Sequence, residues 1–104
     1  MADTLSTSQF EQEVVNSDVP VLVDFWATWC QPCRAIAPFV DAVSEKFAGR
    51  AKVYKVDVDS EGELAEKFGI LSIPALLLFK GGQEVDRMGP GSADQISAFV
   101  ERHL

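Results

Sequence analysis

Two rhythms of apolar residues divide the chain. The run 19–26, Val-Pro-Val-Leu-Val-Asp-Phe-Trp, is apolar on both alternating faces, which marks a strand buried on two sides; Asp24 is its one charged member. Residues 53–58 are rich in β-branched side chains and read as a second strand. Ala75–Lys80 and 84–88 read as two more, joined through Gly81-Gly82 in a hairpin. Elsewhere the spacing is helical. Ser6 and Gln9 stand at capping-box separation ahead of Phe10, Val14 and Val15, which predicts a first helix. Residues 30–47 predict a long second helix on Ile36, Phe39, Val40, Val43 and Phe47. Pro38 inside it predicts a kink, because proline removes a backbone donor and crowds the preceding turn. Residues 60–68 predict a short helix that Gly69 stops in a left-handed conformation. Ser92 with Gln95 opens a last helix that turns Ile96, Phe99 and Val100 inward. Strand and helix alternate and then give way to a hairpin. The reading is an α/β chain with one central mixed sheet flanked by helices on both faces.

Composition narrows the function. The 104 residues make a single domain, 1–104, long enough to bury roughly 65% of its unfolded surface without a metal or disulfide staple. Hydrophobic residues are 47% and charged residues 24%, an ordinary globular balance. Nine basic residues against sixteen acidic ones give a net charge of −7, which argues against nucleic-acid binding and serves solubility. No apolar run approaches the roughly 20 residues of a membrane span. Met1-Ala2-Asp3-Thr4 carries no basic segment followed by an apolar stretch, so a cytoplasmic location is expected. In that compartment two cysteines are catalytic or metal-binding rather than structural.

Those cysteines stand in Trp29-Cys30-Gln31-Pro32-Cys33, directly after the buried strand and at the opening of the long helix. Thiolate attacks a disulfide, and a helix N-terminus stabilises thiolate through its partial positive charge and unpaired N–H groups. Cys30 lies at the outer end of that helix, where it can meet a substrate. Cys33 lies one turn inside. The order predicts that Cys30 attacks, forms a mixed disulfide, and is then attacked by Cys33, which releases the reduced substrate. Three other uses of the pair are weaker. A zinc site needs about four ligands, and two Cys with His103 fall short. A four-thiolate iron–sulfur cluster fails on the same count. A purely structural disulfide closing so short a loop constrains the unfolded chain little. No metal site is expected. Asp24 is unusual because burial raises a carboxyl's pKa, so it can hold or accept a proton near neutral pH. Its alternative is a structural acid paired with Lys55 on the neighbouring strand.

The stretch 21–33, Val-Leu-Val-Asp-Phe-Trp-Ala-Thr-Trp-Cys-Gln-Pro-Cys, resembles the active-site signature of the thioredoxin family. Pro38, Lys55, Asp57, Phe68-Gly69-Ile70, Ile73-Pro74, Phe79-Lys80, Gly82 and Gly89 also fall where that family has matching residues, so the resemblance covers nearly the whole chain. It implies the thioredoxin fold and a thiol–disulfide oxidoreductase that reduces protein disulfides. Such a protein carries no bound cofactor, receives its electrons from a thioredoxin reductase, and works as a monomer. The resemblance further implies a redox-active disulfide between Cys30 and Cys33, and Asp24 beneath Cys33 as an aid to its deprotonation. It implies a cis peptide bond at Ile73-Pro74 that leaves the Ile73 backbone free to pair with an extended substrate. Trp29, Pro32, Ile73, Pro74 and Gly89 would form an apolar collar around Cys30, with Lys55 and Gln31 in support.

The chain departs from the family pattern at three places. Gln31 stands where glycine is commonest, Ala75 where threonine follows the proline, and Pro90 where alanine follows Gly89. Each bears on the redox balance or on partner choice rather than on the chemistry. Two other functions compete with the reductase. One is an oxidant or isomerase, disfavoured because Pro32 stands where such relatives often place His. The other is a thioredoxin-like subunit of a larger machine.

Overall fold

β1 (Asp3–Thr4), β2 (Val21–Trp26), β3 (Lys52–Asp57), β4 (Ala75–Lys80) and β5 (Gln83–Met88) form one mixed sheet in the order β1-β3-β2-β4-β5. The computed structural model describes residues 2–104. β1 and β2 both run parallel to β3, and β4 runs antiparallel to β2 and to β5. The apolar run of β2 thus becomes the central strand. The hairpin closes through Gly81 and Gly82, whose φ values of 62° and 82° lie where only glycine is comfortable, and Lys80 pairs with Gln83 across it.

Alternation along the strands divides the core. One face of the sheet offers Leu22, Val53, Leu76 and Leu78 to α1 (Gln31–Lys46) and α3 (Ala93–Glu101), which contribute Ile36, Val40, Val43, Ile96, Phe99 and Val100, together with Phe47 at the C-cap of α1. The other offers Val21, Val23, Phe25, Val56, Leu77 and Phe79 to Phe10 and Val14 of the N-terminal segment and to Leu64 of α2 (Gly62–Lys67). Truncating any of these fully buried leucines to alanine should cost about 2–5 kcal/mol.

Several boundaries differ from the pattern reading. The first helix is a 3₁₀ turn, Thr7–Gln9, followed by a wider π-type turn, Glu11–Val15, in which Asn16 N–H reaches back to Glu11 O at 2.9 Å. Val14 is buried there and Val15 is exposed, because five-residue turns rotate the second valine off the apolar stripe. β1 carries no apolar signal; it forms because Asp3 and Thr4 line up on the backbone of Tyr54 and Lys55. Pro38 lies inside α1, as expected, and is exposed, whereas Phe39 faces water rather than the core. Gly69 takes a φ of 60° after α2, as its position predicts.

Candidate active site

β2 and α1 meet at residues 27–30. Cys30 is the N-cap of α1, with extended backbone, and its Sγ accepts the Cys33 N–H at 3.2 Å. A capping hydroxyl is the usual acceptor at this place. Pro32 occupies the first turn, where its missing N–H costs nothing, and no acidic residue lies in that turn. The positive end of a 16-residue helix is therefore directed at sulfur and left without a counter-charge. Cys30 and Cys33 are joined in a disulfide, the oxidised state of the pair.

The cysteines sit in a small apolar cluster with Ala27, against which Trp26, Val58 and Ile73 pack. Cys30 is only 4% exposed, little more than Cys33 at 2%. The sequence reading placed Cys30 in the open; in the disulfide it is folded back onto Cys33 and covered by these neighbours. The carbonyl oxygen of Ile73 lies 3.9 Å from Cys30 Sγ, which ties the 73–74 segment to the reactive sulfur across 43 residues of sequence. The Ile73-Pro74 bond is cis.

Asp24 lies on the face of β2 that α1 covers, two residues before Trp26, which packs on the cysteine cluster. It is 1% exposed, and neither carboxylate oxygen has a hydrogen-bond partner among the described residues. Loss of water raises its pKa from 3.8 to about 7, against the pull of Lys55, with Asp41 adding a further upward push. Lys55 is opposite Asp24 in the β2–β3 register, yet its Nζ lies over the Trp26 ring, 4.3 Å from the centroid. The expected Asp24–Lys55 pairing is therefore a field between neighbours rather than a hydrogen-bonded contact. The Trp26 indole N–H is likewise buried without an acceptor among the described residues. Unsatisfied polar atoms are rare in native cores, and here they belong to two residues of β2, one of which, Trp26, packs on the cysteine cluster.

The remaining expected residues divide by exposure. Trp29 is 67% exposed, and its indole N–H donates to Asp59 Oδ2 at 2.8 Å, which fixes the ring plane. Asp59 was invisible to a linear reading because it is 30 residues from Trp29. Gln31, Pro32 and Gly89 are exposed, Ile73 is half-buried, and Pro74 is buried. Pro74 still forms part of the wall of a groove of about 320 Å³ with Ser72, Arg87 and Gly89. Trp29 and Ile73 border a second, smaller depression of about 140 Å³ on the other side of the 70–72 segment. Trp29, Ile73, Pro74 and Gly89 of the expected collar thus border two hollows that share the 70–72 ridge, Pro32 lines neither, and Leu71 on that ridge escaped the sequence reading. Among the described residues, no group of three or more His, Cys, Asp or Glu side chains is placed to hold a metal ion, and no helix is long and apolar enough to cross a membrane.

Comparison with known proteins agrees with this geometry. The thioredoxin family model matches residues 2–102. The chain is 49% identical to thioredoxin 1 of Nostoc sp. over 104 residues, covering 99% of this chain and 97% of the relative. It is 44% identical to the thioredoxins of Synechocystis sp. and Haemophilus influenzae, in each case over 101 residues, 96% of this chain and 94% of the relative. With its fold, its Cys30–Cys33 disulfide and this likeness, the chain belongs to the thioredoxin family and is a thiol–disulfide oxidoreductase.

Proposed function

We propose that Cys30 is the attacking sulfur, Cys33 the resolving one and Asp24 the proton acceptor in the reduction of protein disulfides. In the reduced protein the Cys30 thiolate attacks one sulfur of the substrate. The substrate S–S bond breaks, a mixed disulfide forms, and the other substrate sulfur leaves as a thiolate that takes a proton from water. Cys33 then loses its proton to Asp24 and attacks Cys30 Sγ. The second substrate thiolate departs, and the dithiol has given up two electrons and become the Cys30–Cys33 disulfide. A thioredoxin reductase returns the two electrons, and no bound cofactor takes part.

The observation that carries the reading is the N-cap position of Cys30, where Sγ accepts an amide at a helix start free of acidic residues. That arrangement favours thiolate at Cys30 over Cys33. For Asp24, support comes from a carboxylate without a hydrogen-bond partner among the described residues and a pKa near 7, matched to proton transfer at neutral pH. Trp29, Ile73, Pro74 and Gly89 dock an extended substrate segment whose backbone pairs at Ile73; the hollows flanking the 70–72 segment support this. Gln31 and Pro32 shape the first turn, and Lys55 tempers the Asp24 charge. The same reading takes residues 1–104 as one domain acting as a monomer in the cytoplasm, with no nucleic-acid or membrane partner. Reduction of insulin by the protein, with electrons from NADPH and a thioredoxin reductase, tests it. Steady turnover is expected. A chain that binds protein partners but turns over no insulin would be a structural subunit instead.

A further inference from the structure

Among the described residues, Leu71 is the most exposed of the large apolar side chains, at 98%. A lone surface leucine needs no explanation, but this one is not isolated. It lines both hollows beside the reactive sulfur. On one side lies the groove walled by Pro74, Arg87 and Gly89. On the other lies the depression walled by Trp29, Val58, Ile70 and Ile73. The second hollow has no ionisable side chain in its wall, and the polar atom of Trp29 is already held by Asp59. The Asp59 carboxylate bonded to that Trp29 disfavours an acidic visitor.

The ridge that carries Leu71 is fixed at both ends. Gly69 turns the chain with a positive φ, and Ile73 packs on the cysteine cluster with its carbonyl 3.9 Å from Cys30 Sγ. Leu71 is therefore two residues from the backbone that touches the reactive sulfur. It is held out into water. A polypeptide docked at Ile73 is extended, and its successive side chains point to opposite sides. One of them must fall toward the Trp29 depression.

We propose that Leu71 is a specificity-determining residue that forms, with Trp29, a seat for one bulky apolar side chain of the polypeptide segment flanking the substrate disulfide. The proposal rests on the docking reading given for Ile73. Leu71 covers the seated side chain from the ridge side, Trp29 from the helix side, and Val58 and Ile73 form the floor. Polar residues of equal size gain nothing there, and acidic ones face Asp59.

The test uses prereduced full-length protein and disulfide-bonded peptides in single turnover. In matched peptides, each of the three residues flanking the attacked cysteine is in turn Leu or its near-isostere Asn. Rates are normalised to hydroxyethyl disulfide, which has no apolar side chain to seat. At one position Leu should be preferred by about tenfold, the low end of what one apolar contact supplies. Leu71→Ser should reduce that preference to less than about threefold, and Leu71→Phe should restore it. Leu71 is exposed, so its substitution leaves the core intact, and far-UV circular dichroism of each variant checks it. Equal rates for Leu and Asn peptides at all three positions, or a preference that survives Leu71→Ser, would overturn the proposal. Failure to reduce hydroxyethyl disulfide would instead remove the oxidoreductase reading on which it stands.

Discussion

Two helices in this molecule begin in the same way and serve different ends. α3 opens on Ser92, whose Oγ accepts the Gln95 N–H at 3.2 Å, while Gln95 Oε1 accepts the Ser92 N–H at 2.9 Å. α1 opens on Cys30, whose Sγ accepts the Cys33 N–H at the same 3.2 Å. In both, a side chain at the N-cap takes the amide three residues on. The difference lies around the cap. α3 has Asp94 in its first turn and a reciprocal glutamine, so its positive end is neutralised and its donors are used. α1 has no acid in its first turn, proline in place of one donor, and a second cysteine where α3 has glutamine. The field that steadies α3 is left free in α1 to act on sulfur. One geometry supports folding at Ser92 and chemistry at Cys30, and the neighbouring charges decide which.

The largest expected effect comes from removing the α1 cap sulfur or its partner. Cys30→Ser and Cys33→Ser should each abolish insulin turnover, but only Cys33→Ser should accumulate mixed disulfides with lysate proteins on non-reducing gels. Equal trapping by both variants would mean that the cap position does not select the nucleophile. Next in size is Asp24, the buried acid on the face of β2 that α1 covers. The unfolded carboxyl titrates near 3.8 and the folded one near 7, so the folded state binds more protons between those values. Stability should fall as pH rises from about 4 to about 7. Asp24→Asn should remove that dependence and be more stable at pH 8 by a few kcal/mol, on the order of the linkage for so large a shift. Urea titrations at pH 4 and pH 8 measure it, and stopped-flow release of the mixed disulfide should slow in the same variant near neutral pH. Parallel pH profiles for the two proteins would show that Asp24 is not perturbed by burial.

Smaller effects sharpen the contrast between the two helix starts. Ser92→Ala should lower stability by about 1 kcal/mol, the usual worth of an N-cap, and leave the redox potential unchanged. A shifted potential would mean that α3 shares in tuning the site. Gln31→Glu gives α1 an acid in its first turn, comparable to Asp94 of α3. At about 0.3–1 kcal/mol for such a charge, the Cys30 thiol should rise by up to about 0.7 pH units, read from thiolate absorbance at 240 nm. No movement would indicate that solvent already screens the helix end.

How far the site could be read in advance depended on the range of each interaction. The capping pair Ser92–Gln95, the placement of Cys30 at a helix start and the left-handed Gly69 were all legible, because they depend on residues three or four apart. The central position of β2 was legible from its apolar run. Phe39 and Val15 were misread for the opposite reason. Each matched a helical stripe, but which side of that stripe meets the sheet is set by elements far away in sequence. β1 left no trace because a two-residue strand forms only where an edge is offered to it.

The sequence alone determined the alternation of strands and helices, the thioredoxin likeness and the Cys-Gln-Pro-Cys pair at the start of α1, since period, caps and short motifs are local properties of a chain. The tertiary structure alone decided the environment of those residues. It buried both oxygens of Asp24 away from hydrogen-bond partners among the described residues and swung Lys55 over Trp26. It drew the Ile73 carbonyl to Cys30 across 43 residues, pinned Trp29 to Asp59 across 30, and raised Leu71 on a ridge between two hollows. Burial and long-range contact follow from sheet register and helix packing, which sum over the whole chain, so no window of sequence contains them.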